Sequence, residues 1–571
     1  MIPFLALLGT SFAAIVTSNA DSGPGTLRDA ILMATPGEII TFDPAVTQIT
    51  PLSSLPFVVA DNVTIDGAGS VLLDGKGLAA SGLTIQADDV KIYGLQITGF
   101  AGHGLRLQAA NNTIIGGTGL QENAIYGNDD AGIWVGYALA GTTSSGTLIQ
   151  GNRIGLRFDD AAVGNCVNGA TVCAGVQLTA SAGATTLQSN IVSGNHGHGV
   201  RVATIEAVTL QGNAIGLNAT AQSARPNSGH GVLVNPIGMG SLGSVVLSGN
   251  LLSANDGDGL LLSASTEQVV VIGNGIGIGA NGQPQGNGGN GITVRGEGHI
   301  IGLDGTTPAG NIVAANGESG ITLEGHSHLL VHNTIGSSAP GDGRGNADYG
   351  VFTTGDYSTP FGVVIGGLPG GAPFFPNVVG RNGEGNNISG NTLGGVRIDT
   401  SGVVIEGNTI GLAADGTTPI GNGTIVPLSG AFGGVLVNAP VDWLPAASVH
   451  IRENTIAANL RNGIWVKGDS QNLFYGNVTI NDNDIGIDIN GLAQPNAGDG
   501  VRLEGGSNLL VENNIIAGNT SHGVHVLSTD TASTTHFTIQ GNDIGTATVG
   551  NGVDGIRLDS SARQSVSGGI V

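Results

Sequence analysis

Lysine is almost missing from this 571-residue chain: three occur, at positions 76, 91 and 467. Basic residues total 18 against 42 acidic ones, a net charge of −24. The basic face that phosphate binding requires is therefore lacking, which excludes nucleic acid as a partner. Cysteine is equally scarce. The two present, Cys166 and Cys173, bound the octapeptide Cys-Val-Asn-Gly-Ala-Thr-Val-Cys. That spacing suits a small disulfide-closed loop in an oxidising compartment; the alternative is a pair of free thiols. Aromatic residues are 4% and charged residues 11%. Such a chain would be disordered if it also lacked aliphatics, but Ile, Val and Leu recur throughout. No apolar run approaches the length of a membrane-spanning helix.

What the chain has in excess is glycine, 101 residues, spaced in a repeat. The unit Gly-(Ile/Val/Leu)-x-apolar begins at Gly104, Gly132, Gly175, Gly199, Gly231, Gly259, Gly291, Gly320, Gly350, Gly395, Gly434, Gly463, Gly500, Gly523 and Gly555. Between these copies, Gly-Asn-x-Ile-Gly or a close variant (Asn152, Asn213, Asn274, Asn333, Asn408, Asn483, Asn542) alternates with Asn-x-x-x-x-Asn, first at Asn123/Asn128. Two coils thus make a superrepeat. A repeat of this period overrides the length-based expectation of several ordinary domains. Each short alternating segment has one apolar face that it cannot bury alone, and stacked coils bury it continuously. The Asn positions predict turns in which amides bond to the coils above and below. Insertions follow Gly-Asn-x-Ile-Gly, at 157–174, 218–230, 412–433 and 488–499.

The two ends differ from the middle. Residues 1–14 read either as the apolar part of a secretion signal or as a first strand. Residues 15–60 form an N-terminal cap, with a short amphipathic helix within 21–34 that covers the open end of the stack. Residues 61–571 are the coils. The chain stops at Val571 just after a repeat copy, so a cap, anchor or further domain is expected beyond it.

The segments Ala-Asp-Ser-Gly-Pro-Gly-Thr-Leu-Arg-Asp-Ala-Ile and Gly-Glu-Ile-Ile-Thr-Phe, followed by serial Gly-Asn-x-Ile-Gly, resemble secreted bacterial right-handed parallel β-helix repeat proteins of the pectin-lyase-like superfamily. The resemblance covers essentially the whole chain. It implies an all-β solenoid of about fifteen coils and an extracellular or cell-surface location. Its activities range over polysaccharide lyases, hydrolases, epimerases, phage tailspikes and adhesins, so fold alone does not choose among them.

The outward position x offers the best functional signal. In order it holds Arg106, Trp134, Gln177, Arg201, Leu233, Leu261, Thr293, Thr322, Phe352, Arg397, Leu436, Trp465, Arg502, His525 and Arg557. The candidate contacts for a polysaccharide or cell-surface glycan are Arg106, Trp134, Arg201, Arg397, Trp465, Arg502, His525 and Arg557. Arg grips carboxylates or sulfates, and Trp stacks on sugar rings. Against this stands the plain preference of such residues for exposed strand faces. Catalysis would need a base beside a neutralised carboxylate, and His198, Arg201, His230 and Asp258 are the best candidates. His522, His525, Asp554 and Arg557 make a second group. Asp130 and His198 of a Gly-His-Gly motif fall two coils apart, with no Asn-Thr-Asp before them and no Arg-x-Lys after, so a polygalacturonase pattern is not reproduced. Acids such as Asp256 and Asp258 suit Ca²⁺, but no calcium-binding repeat is present to hold it. The leading expectation is a non-catalytic, adhesive or glycan-binding surface protein. The alternatives are a lyase, epimerase or hydrolase acting on an acidic polysaccharide, and a structural fibre or passenger segment.

Overall fold

Alternating apolar and polar residues dictate short strands, most of two to six residues, and the computed structural model pairs nearly all of them in parallel. It describes residues 13–559, except 137–142, 170–171, 238–242, 338, 356–376, 380–383, 425–430, 439–447, 469–476, 506–507 and 528–535, together with the backbone of 564–566. Of the segment 1–14, residues 1–12 lie outside the described residues. Two units are distinguished, Met1–Ser244 and Val245–Val571.

In the first unit, strand Ala13–Val16 pairs in parallel with Ile39–Phe42. Helix Leu27–Met33 follows a turn; the Thr26 hydroxyl caps it by accepting from Asp29 N, and Leu27 and Ile31 are its buried face. Arg28 fastens the segment, its guanidinium donating to Asp21 Oδ1 at 2.7 Å and to the Ser53 and Ser54 carbonyls. Further along, the outward positions stack in register: Thr84 on Arg106, Arg106 on Trp134, Trp134 on Gln177, Gln177 on Arg201, Arg201 on Leu233. Inward neighbours such as Leu105, Ile133, Val176 and Val200 have no exposure.

The second unit repeats the plan. Its outward row runs Leu261, Thr293, Thr322, Phe352, Arg397, Leu436, Trp465, Arg502, His525, Arg557, each paired with the next. Not every x residue is open to solvent. Gln177, Leu233, Thr293, Thr322 and Leu436 are buried, so the row is a set of separate patches rather than one strip.

The Gly that heads each copy is set by close approach. A Cβ on Gly320 would sit 2.7 Å from the Gly350 carbonyl oxygen of the next coil, and on Gly500 2.8 Å from that of Gly523. No side chain fits there.

The asparagines form two ladders, which alters the reading of the superrepeat. In the first unit, Asn123 Nδ2 donates to Asn152 Oδ1, Asn152 to Asn190 and Asn190 to Asn213. The second ladder runs Asn128, Asn165, Asn195, Asn227. Each coil thus supplies one Asn to each ladder. In alternate coils the second Asn lies inside the inserted stretch, as Asn165 (within 157–174) and Asn227 (within 218–230) do. The inserted residues therefore bulge on either side of a fixed amide, and the strict five-residue spacing is lost there. The second unit carries equivalent ladders, for example Asn454–Asn483–Asn514–Asn542 and Asn459–Asn496–Asn519.

Candidate functional site

In the first unit, Cys166 and Cys173 are bonded, with their Cα atoms 5.8 Å apart. Above this loop the His198 and His230 rings stack, centroids 5.2 Å apart and 4° from parallel. His230 N–H donates to His198 Nδ1 at 3.1 Å. Burial, with His230 and Arg201 adding to it, holds the His198 imidazole down at about 4. Arg201 donates to Asn235 Oδ1 at 3.0 Å and lies 3.0 Å from the Gln177 amide. Its charge is therefore held by neutral amides. Asp258 belongs to the second unit, where its carboxylate accepts from Asn290 N at 2.9 Å. Elsewhere in the first unit, Trp134 stacks on His103 at 4.5 Å, and the Arg106 guanidinium lies 2.6–2.8 Å from the Gln108 amide. Burial first, then Arg106, lowers His103 to about 4.

The cationic positions of the second unit are built differently. Arg397 makes a two-pronged pair with Asp399 (2.9 and 2.6 Å) and donates to the Tyr349 hydroxyl at 2.7 Å. Its guanidinium also lies over the Tyr349 and Phe352 rings. Arg502 contacts Glu504 Oε2 at 3.3 Å and Asp499 Oδ2 at 3.7 Å. Arg557 contacts Asp559 at 2.8 Å and Asp554 at 3.7 Å. Asp399, Glu504 and Asp559 all stand two residues after their Arg, on the same strand face. The motif Arg-x-(Asp/Glu) was legible in the sequence and marks arginines whose charge is internally compensated.

His525 lies between two carboxylates: Nδ1 is 3.0 Å from Asp499 Oδ2 and Nε2 is 3.0 Å from Asp559 Oδ2. Hydrogen bonds from His525 and then Arg557 pull the Asp559 carboxyl below its usual range. His522 Nδ1 is 3.3 Å from Asp554 Oδ2. A pocket of about 400 Å³ opens nearby, lined by Ala431, Phe432, Leu460, Arg461, Asn462, Trp465, Ala497, Gly498 and Arg502. The guanidinium of Arg502 and the ammonium of Lys467 each lie over the Trp465 ring, at 5.7 and 5.6 Å from its centre, and Trp465 Nε1 donates to Glu504 at 3.0 Å. Phe432 and Tyr349 form an apolar cluster with Leu436, against which Trp465 packs.

Two further histidines had no role in the sequence reading. His299 and His328 are fully buried in the second unit and stack at 5.1 Å. Burial drives His299 to about 4, against the opposing pull of the Arg295 carbonyl. An unfolded His titrates near 6.5, so below that pH the unfolded chain takes up a proton that folded His299 refuses until about pH 4. The resulting stability is complete above pH 6.5 and is lost as the pH falls. Urea unfolding from pH 7 to 4 should therefore be less steeply pH-dependent in His299→Gln, by up to about 1.4 kcal/mol per pH unit. Equal slopes in the two proteins would exclude His299 as the cause.

The class defined by this geometry is a solenoid of parallel β-coils whose outward row carries isolated aromatic and charged patches. Residues 81–276 and 377–562 match the family described as "Right handed beta helix region". The chain belongs to that right-handed β-helix family. Similar solved structures include pectate lyase Pel9A, at 12% identity and TM-score 0.38, covering 57% of this chain and 80% of that one. The A-module of Azotobacter vinelandii mannuronan C-5 epimerase AlgE6 shares 15% identity at TM-score 0.36, covering 69% and 88%. Bacteriophage CBA120 tailspike protein 3 shares 9% at TM-score 0.34, covering 81% and 60%. No curated protein matches this chain in sequence. Among the described residues, no helix is long and apolar enough to cross a membrane.

Proposed function

We propose that this is a secreted or cell-surface β-helix that binds a polysaccharide or cell-surface glycan at the Trp465–Arg502 patch of its outward row. The observation that carries the reading is the pocket of about 400 Å³, in which Phe432 and Trp465 meet Arg461, Arg502 and Asn462. Its volume is that of a small-ligand site, and its lining pairs apolar ring faces with hydrogen-bond donors. A sugar offers the matching combination: an apolar C–H face and polar edges. Trp134 with Arg106, and Arg201 with its amide partners, are secondary contact points of the same kind. Arg397, Arg502 and Arg557, each paired with a carboxylate two residues on, contribute hydrogen-bond donors more than net charge.

Binding is favoured over turnover at His198, because a base held at about 4 is too weak to take a sugar-ring proton near neutrality. The test is a screen against pectate, alginate, sulfated and neutral glycans, with and without Ca²⁺, following affinity alongside unsaturated products and new reducing ends. Binding without turnover is expected. Trp465→Ala should weaken it about five- to thirtyfold, the range for an aromatic anchor in a pocket. Turnover of any polymer would favour the lyase, epimerase or hydrolase reading instead. Absence of binding, or binding unchanged in Trp465→Ala, would remove the patch from the argument and leave a structural segment.

A further inference from the structure

We infer that Asp499, His522 and His525 form a binding site for one divalent transition-metal ion, for which Zn²⁺ is the probe. The inference goes beyond the glycan reading and does not depend on it. One ligand atom from each of the three residues lies within 4.8 Å of the other two, the one such group of three among the described residues. Stacking explains why they meet. Asp499 and His522 hold the same place in successive coils, each just before the Gly that heads its repeat. The register of Val501–Glu504 on Val524–Leu527 sets His525 beside Arg502. Two imidazoles and one carboxylate are a nitrogen-rich set that suits zinc-class ions rather than Ca²⁺, which prefers oxygen.

The surroundings favour an ion as well. The Asp499 side chain is 5% exposed, and those of His522 and His525 are 16% and 12% exposed. The three side chains are thus mostly buried, and the imidazoles are the more accessible of them. Asp559 takes His525 Nε2–H at 3.0 Å, so Nδ1 faces Asp499 and presents its lone pair once an ion replaces the proton they share. His522 Nδ1 lies 3.3 Å from the Asp554 carboxylate and 3.3 Å from the Asp554 backbone nitrogen; with its proton on Nδ1, donated to the carboxylate, the ring leaves Nε2 for the ion. A carboxylate behind each ligating imidazole is the usual way of fixing ring orientation at a metal. Arg502, 3.7 Å from Asp499, opposes a cation. Yet Asp499, Glu504, Asp554 and Asp559 set four carboxylates against the two guanidiniums of Arg502 and Arg557, so the local balance attracts a dication. The Asp499–His525 separation of 3.0 Å is close to the roughly 3.4 Å between donors around a tetrahedral zinc, and the His522 ligand atom lies within 4.8 Å of both.

The experiment uses the full chain, stripped with a chelator, loaded with ZnCl₂, dialysed and assayed for bound metal. One zinc per chain is expected, retained in the presence of excess Ca²⁺ and in His326→Ala, an exposed-histidine control. Asp499→Asn and His525→Gln should retain none, and Asp559→Asn should bind about 10- to 100-fold more weakly. Modification of wild-type histidines by diethyl pyrocarbonate, mapped by mass spectrometry, needs no variant: zinc should protect His522 and His525 and leave His326 reactive. The site would be overturned by no retained zinc, by displacement with Ca²⁺, by undiminished zinc in both ligand variants, or by equal modification with and without zinc.

Discussion

Gly277→Ala is expected to destabilise the second unit by about 4 kcal/mol, among the largest effects of any single methyl group in this protein. Gly277 closes one Gly-Asn-x-Ile-Gly segment and has φ +84°. A side chain there meets two penalties. The left-handed backbone alone costs an L-residue about 1–2 kcal/mol. In addition, a Cβ would overlap the Ala314 carbonyl oxygen of the next coil, and that oxygen cannot retreat because it lies in the stacked backbone. Gly491 separates the two contributions: its φ is +74° and nothing lies within 4 Å of an added Cβ. Gly491→Ala should therefore show only the conformational part. Urea unfolding monitored by circular dichroism gives both values. A Gly277→Ala cost no larger than that of Gly491→Ala would mean that the coils can spread, and the close-approach account would fail.

Asn195→Ala is expected to cost about 3–5 kcal/mol within the first unit. Asn195 is buried in the middle of a ladder. Its Oδ1 accepts from both Asn165 Nδ2 (3.0 Å) and Asn165 N (3.3 Å), and its Nδ2 donates to Asn227 Oδ1 (2.9 Å) and the Ile154 carbonyl (3.1 Å). Alanine leaves two donors of Asn165 buried and without an acceptor, and removes a donor from Ile154. Each such orphan costs about 1–3 kcal/mol, more than the hydrogen bond contributed when made. Because the ladder links each coil only to the coils on either side, the loss should be local. Hydrogen exchange should show faster exchange at the amides of coils bearing Asn165 and Asn227, with coils of the second unit unchanged. Uniform protection across the first unit within about 1 kcal/mol of wild type would count against the ladder as a source of stability.

Much of the fold was legible because solenoid contacts are local in the repeat. Gly-Ile-Trp-Val and Gly-Val-Arg-Val each state their own inward and outward residues, since a strand alternates sides at every step. The outward row read from spacing is the row that the parallel register stacks. The alternation of the two Asn motifs was only half understood. Asn165, Asn227, Asn422 and Asn496 sit inside inserted turns, where no fixed spacing announces them, yet each takes its place in the second ladder. The site was less legible. His525 and His522 stood out by composition, but that Asp499 and Asp559 bracket His525 depends on which coil follows which. Arg397 and Arg502 looked like open cations until their i+2 carboxylates were placed on the same face.

The sequence by itself determined the architecture: many short strands, glycine where coils meet, asparagine at the bends, and one outward position per coil. Those features are written in side-chain alternation and in the steric demands of single residues, which act over a few positions. Only the tertiary structure decided what the outward residues do. Burial of Gln177, Thr293, Thr322 and Leu436, the pocket at Trp465, and the meeting of Asp499 with His522 and His525 all arise between coils. Their distances are set by loop lengths and register, and the order of residues along one strand does not encode them.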